Sequence, residues 1–279
     1  MKDVKIKVKL EDAFQEFLFQ KDLEGCKKRT IDDHKTHFYY FLKYLARKKK
    51  KLTYVSDVTE EVCKKYIHFM KKEKVKWDDH KTIEKSEMGL EHSTINIRIT
   101  SLKAQFNFYK TERYIKQSPW GDIKKLKVDQ PKIKFLSKED YSKLLKAPDR
   151  STFVGYRDYV ILNILLDNGP RIYVTLNISI EDINLEDGYI LYPGEVTKNR
   201  RFRVVTMDKR IAFLLKQLLE LNKQVNDQAF HIFLSSNGEK LHNSSFRSNL
   251  NEYRKRSGIK VSVTPHICRH TFCVWSFNL

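Results

Sequence analysis

The run Pro265-His266-Ile267-Cys268-Arg269-His270 puts an imidazole and a guanidinium three residues apart, within one turn if the segment is helical. A proton-handling ring beside a permanent planar cation is what a site that binds and activates a phosphodiester requires. Two further candidates stand in other settings. Arg171 follows Gly169-Pro170 at the end of an apolar segment, and Lys198 lies in a loop between two strand-like runs. Phosphoryl transfer needs cations aimed at the equatorial oxygens, an acid for the leaving hydroxyl and a nucleophile. Guanidinium forks suit the first task, and a lysine shielded in a loop suits the second. Singly each has a plainer reading: an arginine at a helix end usually caps it or pairs with a carboxylate, and a loop lysine is usually solvated. No tyrosine follows Arg269; the last one is Tyr253, read as a packing or DNA-facing aromatic rather than as the nucleophile.

Lys and Arg outnumber Asp and Glu 54 to 35 over 279 residues, for a net charge of +19, so the expected partner is a polyanion. The basic residues cluster: Lys48, Lys49, Lys50 and Lys51 close one helix, Lys124, Lys125, Lys127, Lys132 and Lys134 crowd a second stretch, and Arg200, Arg201 and Arg203 a third. With 41% apolar and 12% aromatic residues the chain buries ordinary cores, which excludes a disordered basic tail. No apolar run approaches the roughly 20 residues that span a bilayer, and Met1-Lys2-Asp3-Val4-Lys5 opens no signal peptide. The expectation is a cytoplasmic protein with no membrane partner. Four scattered cysteines fit reduced thiols. His266, Cys268, His270 and Cys273 are zinc-binding types at poor spacing, so neither a metal nor a cofactor is expected.

The elements that must position these groups follow from periodicity. Phe38, Phe41, Leu42 and Leu45 form one helical stripe, Val62, Tyr66, Phe69 and Met70 a second, and Ile99, Leu102, Phe106 and Tyr109 a third in a segment with Ser93 as N-cap. With a first helix from Leu10 to Gln20, this predicts a four-helix domain over 1–123. Ser118-Pro119-Trp120-Gly121 breaks the last helix, and 124–134 reads as an extended basic linker. From 135 to 279 the pattern mixes helix and strand. Ser137 opens a helix with a capping-box-like start, Tyr159 to Leu166 is a buried helix, and Gly188 to Tyr192 and Phe202 to Met207 are short strands. Helices follow at Ile211 to Leu221, at Phe246 to Ser257 with Gly258 as a stop, and from His266 onward.

In order, Gly169-Pro170-Arg171-Ile172, Ser179-Ile180-Glu181-Asp182-Ile183, a lysine hairpin ending Arg203-Val204-Val205, and Pro265-His266-Ile267-Cys268-Arg269-His270-Thr271-Phe272 resemble the tyrosine recombinase or phage integrase family, particularly its Xer-like members. Arg29-Thr30-Ile31 and Phe135-Leu136-Ser137-Lys138-Glu139-Asp140 resemble the openings of that family's two domains. The resemblance implies a mostly α fold with a small antiparallel sheet: a SAM-like core-binding domain, then an α+β catalytic domain lacking its last helices. It implies that Arg171 and Arg269 hold the scissile phosphate, that Lys198 protonates the leaving 5′ oxygen, and that His266 assists, with no metal. The partner is then double-stranded DNA, gripped by a clamp that self-associates as a dimer to tetramer, and the activity is site-specific recombination through a 3′-phosphotyrosyl intermediate.

Three departures from the family pattern stand out. Val174 replaces the acidic residue three positions after the first arginine, Tyr173 replaces a small one, and Pro170 is unusual beside Arg171. The sequence stops before the position of the nucleophilic tyrosine, so the expectation is a C-terminally truncated chain that cleaves only when a tyrosine completes it. The alternative is an inactive DNA-binding remnant or regulator, and a rival from another class is a basic RNA-binding or scaffold protein. Val274, Trp275 and Phe277 are expected to be exposed.

Overall fold

The computed structural model describes residues 7–47, 52–76, 87–129, 134–192 and 202–277. The chain divides into two compact units, Met1–Gln130 and Pro131–Leu279, each with its own apolar core.

In the first unit, helices α1 (Leu10–Leu23), α2 (Lys28–Arg47), α3 (Glu60–Lys72) and α4 (His92–Thr111) bury their apolar stripes against one another. Aromatic rings knit this core. Phe14 stacks on Phe38 at 3.9 Å between centroids, and Phe41 meets Tyr66 edge-on at 5.1 Å and Trp120 at 6.0 Å. Trp120 is wholly buried, so the Ser118–Gly121 break serves to fold an indole back into the bundle. Thr59 caps α3, accepting from the Val62 amide. The α4 helix starts earlier than its sequence suggests: Glu91 occupies the N-cap position without a side-chain cap bond, and Ser93 lies within the first turn.

The basic stretch after Ile123 is extended, but it does not hang free. Asn96 bonds both polar groups of Leu126, donating to its carbonyl at 2.9 Å and accepting from its amide at 2.8 Å. His92 Nδ1 lies 2.9 Å from the Lys127 carbonyl. A segment read as a linker is thereby tied along α4, because an asparagine amide mimics the edge of a strand and satisfies backbone that has no sheet.

The second unit contains α5 (Lys138–Lys146), α6 (Phe153–Asp167), the one-turn α7 (Ile172–Thr175), β1 (Ile183–Asn184), β2 (Tyr189–Tyr192), β3 (Arg203–Thr206), α8 (Lys209–Val225), α9 (Asn243–Arg256) and α10 (Pro265–Phe277). Ser137, Thr152 and Asp208 cap α5, α6 and α8 by accepting from the amides of Asp140, Gly155 and Ile211. The strands form an antiparallel sheet in the order β1-β2-β3, with Ile183 opposite Ile190 and Tyr192 opposite Arg203. Strand β1 has two residues, too few to leave a period-two signature. Ile190 and Tyr192 point into the core, which α6 crosses buried on nearly every side.

Helix α10 packs on α6, and the Thr271 hydroxyl accepts from the buried Leu136 amide at 2.9 Å, tying the start of the unit to its last helix. Val274 and Trp275 are half-buried rather than exposed, since the Trp275 ring sits 4.9 Å from that of Tyr141; the Phe277 side chain lies outside the described residues. Among the described residues, no helix is long and apolar enough to cross a membrane.

Candidate phosphate-binding site

Helix α10 begins where its sequence says a helix should. Pro265 takes the first position, where its missing amide costs nothing, and the Thr264 hydroxyl accepts from the Ile267 amide at 3.2 Å. His266 therefore stands on the first turn, at the positive end of the helix dipole, and Arg269 opens the second. Arg269 is half-buried, and its Nη1 donates to the carbonyl oxygen of Gly169. Gly169 has a φ of +56°, and a Cβ there would lie 2.3 Å from the Phe272 ring. No other residue fits, because the left-handed backbone and the ring of α10 exclude a side chain together. The loop after α6 and the first turn of α10 are thus locked into each other through the arginine.

Arg171 stands two residues later, exposed at the N-cap position of α7. Its carbonyl accepts from the Thr175 amide at 3.0 Å, which fixes the backbone, while its guanidinium makes no hydrogen bond or ion pair with the described residues. Val174 is buried in the core, so the position that would carry an orienting acid packs against apolar neighbours instead. Arg171, His266 and Arg269 line one open cleft of about 690 Å³. Burial, and then the neighbouring Arg171 and Arg203, hold the Arg269 pKa below the usual arginine range. His266 is depressed likewise, first by burial and then by His270, Arg269 and Arg171. Like charges crowd here, and none of the described residues lining the cleft is a carboxylate, an arrangement that an arriving anion relieves.

The same cleft takes in residues that sequence reasoning missed: Asn243, Arg247 and Asn251 from α9, and the exposed Tyr173. Their spacing of four was the available signal, since 243, 247 and 251 share one helical face. Arg203 on β3, counted only within a basic cluster, is close enough to act on Arg269.

Of the DNA-contacting candidates, Lys124, Lys125 and Lys127 are exposed on the first unit's extended segment. Lys48, Lys49, Lys50, Lys51, Lys132, Arg200 and Arg201 lie outside the described residues, as does Lys198.

Tyr253 is a packing residue and faces no solvent: it is buried, and its hydroxyl donates to Asp158 Oδ2 at 2.8 Å. Cys268 is fully buried, which pushes its thiol up to about 12, far from a metal-binding thiolate. Among the described residues, no group of three or more His, Cys, Asp and Glu side chains is arranged to hold a metal ion.

The chain is thus a helical unit followed by a mixed unit, and the second unit brings two arginines and a histidine to one cleft. Residues 134–278 match the phage integrase family, and residues 9–128 match the phage integrase SAM-like domain. The first match alone covers more than half of the sequence, and the chain belongs to the phage integrase family. Tyrosine recombinase XerC of Thermodesulfovibrio yellowstonii is 26% identical over 190 residues, 66% of this chain and 62% of that protein. Tyrosine recombinase XerD of Listeria innocua is 27% identical over 270 residues, 94% and 83% of the two. The chain thus spans less than two thirds of the XerC relative's length. A lambda integrase dimer bound to a COC′ core site has the same fold, with a TM-score of 0.70 and 15% identity over 96% of this chain and 70% of that one.

Proposed function

We propose that this chain is a site-specific DNA recombinase of the integrase type, binding duplex DNA and, with a tyrosine nucleophile brought to the cleft, cleaving and rejoining strands through a 3′-phosphotyrosyl intermediate. The observation that carries the reading is the pair Arg171 and Arg269, converging with His266 on one cleft without a carboxylate partner. Arg269, seated by the Gly169 carbonyl, keeps donors directed at a phosphate oxygen, and Arg171 supplies a second fork. Such donors act by being in place before charge develops. In this proposal Lys198 is the acid for the leaving 5′ oxygen and His266 supports the equatorial oxygens. Lys124, Lys125 and Lys127, with Lys48, Lys49, Lys50, Lys51, Lys132, Arg200 and Arg201, hold flanking backbone. The protein assembles on DNA as a dimer to tetramer and works in the cytoplasm.

One observation favours a second reading, a non-enzymatic DNA-binding regulator: Val174 is buried in the apolar core, so that position gives Arg171 no orienting acid. One experiment separates them. The chain is titrated onto labelled duplex at low and moderate salt, then incubated with a nicked duplex and resolved under denaturing conditions. The DNA-binding reading expects affinity that falls steeply with salt, and absence of binding at low salt refutes it. A denaturant-stable protein–DNA adduct, lost in Arg269→Gln, supports the recombinase. Binding without any adduct, even when a family C-terminal segment bearing a tyrosine is supplied, favours the regulator.

A further inference from the structure

The first unit has a cationic cleft of its own. Arg98, in the first half of α4, is only 8% exposed, and its guanidinium stacks 4.1 Å from the centroid of the Tyr40 ring on α2. Among the described residues no carboxylate pairs with it. The polar group beside it is the Tyr66 hydroxyl, which burial pushes up to about 12 while the Arg98 charge pulls the other way. A phenol oxygen occupies at most two of the five N–H donors of a guanidinium. Lys74, also 8% exposed, reaches over the same Tyr40 ring at 5.9 Å, and Lys43 and Arg47 of α2 complete the rim. None of the described residues that line this cleft is an acid.

Its size narrows the ligand. The cleft holds about 20 Å³, room for about one water-sized group, so neither a nucleotide nor a free sugar enters. A single anionic oxygen offered from outside by a polymer does fit. Tyr40 also forms one wall of an adjoining open groove of about 530 Å³ with Lys35, Thr36 and Tyr39. Along the exposed side of α2, Lys35, Tyr39, Lys43 and Arg47 recur every four residues, opposite the buried Phe38, Phe41 and Leu45. The groove is therefore a basic, aromatic track that runs into the cleft.

We infer that the Arg98 cleft is a phosphate seat: one backbone phosphate of duplex DNA places a non-bridging oxygen against the Arg98 guanidinium, with Tyr40 as the platform that holds the guanidinium plane. The seat rests on the DNA-binding reading above, and it adds a fixed register point in the first unit that the cleft of the second unit does not supply. Backbone contacts of this kind position a protein on the duplex without reading its sequence.

The test uses the full chain and a labelled duplex, with affinity measured across a salt series. Arg98→Gln is expected to weaken binding roughly tenfold, as for loss of a charged hydrogen bond. The slope of log K against log salt should become shallower by about 0.9, one phosphate contact. Circular dichroism and thermal melting establish that the variant is folded. Arg47→Gln, at the exposed rim, is the second variant and is expected to shift affinity and slope in the same direction by a smaller amount. A folded Arg98→Gln chain with wild-type affinity and slope overturns the seat. Should Arg98→Gln not fold, an unchanged slope in Arg47→Gln overturns it instead. Oligoglutamate bound with the same dependence on Arg98 as duplex also overturns it, because the cleft then selects charge alone. Wild-type chain that binds no duplex at low salt defeats the DNA-binding reading itself, a result distinct from any of these.

Discussion

Arg157 in α6 and Arg98 in α4 are buried arginines of two different kinds. Arg157 is 2% exposed and spends its guanidinium wholly inside the protein: Nε and Nη2 donate to Asp158 Oδ1 at 2.9 and 2.7 Å, and Nη1 donates to the Leu234 carbonyl at 2.7 Å. The other carboxylate oxygen of Asp158 accepts from Asn249 and Tyr253 of α9, both at 2.8 Å. Each guanidinium nitrogen of Arg157 and both carboxylate oxygens of Asp158 have a partner, and the network fastens α6 to the helix that presents Asn243, Arg247 and Asn251 to the cleft. Arg98 has an aromatic face and a neighbouring hydroxyl, no carboxylate among the described residues, and a place in the lining of a small cleft. Burial alone therefore does not separate a structural arginine from a binding one; the count of internal acceptors does. Arg269 stands between the two, held by one carbonyl with the rest of its fork open to the cleft.

Asp158→Asn breaks the closed network most severely. It leaves Arg157 buried without its counter-charge, and the expected cost is about 3–5 kcal/mol. Urea denaturation of the second unit measures it, and a midpoint equal to wild type contradicts the closed network. Gly169→Ala attacks the half-open case. Left-handed backbone costs a residue with a Cβ about 1–2 kcal/mol, and the Phe272 ring must also move. The variant should lose roughly 2–3 kcal/mol in all and bind duplex more weakly than a surface glycine variant such as Gly25→Ala, because displacing Phe272 unseats Arg269. Tyr253→Phe removes one of two donors to Asp158 Oδ2 and should cost about 1–2 kcal/mol while leaving DNA affinity unchanged. A loss of affinity without a loss of stability in that variant assigns Tyr253 to the binding face.

The sequence speaks clearly where one local rule acts alone. Ile99, Leu102, Phe106 and Tyr109 declare α4 by their spacing, and the His266-to-Arg269 motif marks its helix start because Thr264 and Pro265 are local capping signals. It is silent where tertiary partners decide. Arg157 and Asp158 read as an adjacent, solvated ion pair until α6 is known to be buried all round. Arg98 reads as one more basic residue, although it lies four positions before Leu102 on the same helical face, a polar residue at a core position. The tie between Asn96 and Leu126 joins residues 30 positions apart, so nothing in the basic run from Lys124 announces that it lies along α4. The cleft of the second unit is legible in its two arginines and its histidine, and hidden in the α9 residues that complete it.

The smallest expected effect tests whether the open region changes when filled. His266 lies below the ordinary histidine value of about 6.5, held there first by burial and then by His270, Arg269 and Arg171, which favours the neutral ring at neutral pH. A bound phosphate adds negative charge beside the ring, favours the imidazolium and raises the pKa. Binding then takes up protons, and affinity for duplex should strengthen as pH falls through the interval between the bound-state and free-state values, levelling off below the latter. The gain should be less than about tenfold, since a shift of one unit corresponds to 1.36 kcal/mol. His266→Gln removes the linkage at this position, so its affinity, measured from about pH 8 to about pH 5 at constant ionic strength, should show a flatter profile than wild type. If the two profiles superimpose, the imidazole does not face the phosphate. The half-open character of the cleft then rests on the arginines alone, and Arg269 and Arg98 become two versions of the same device: a seated guanidinium whose remaining donors wait for an anion.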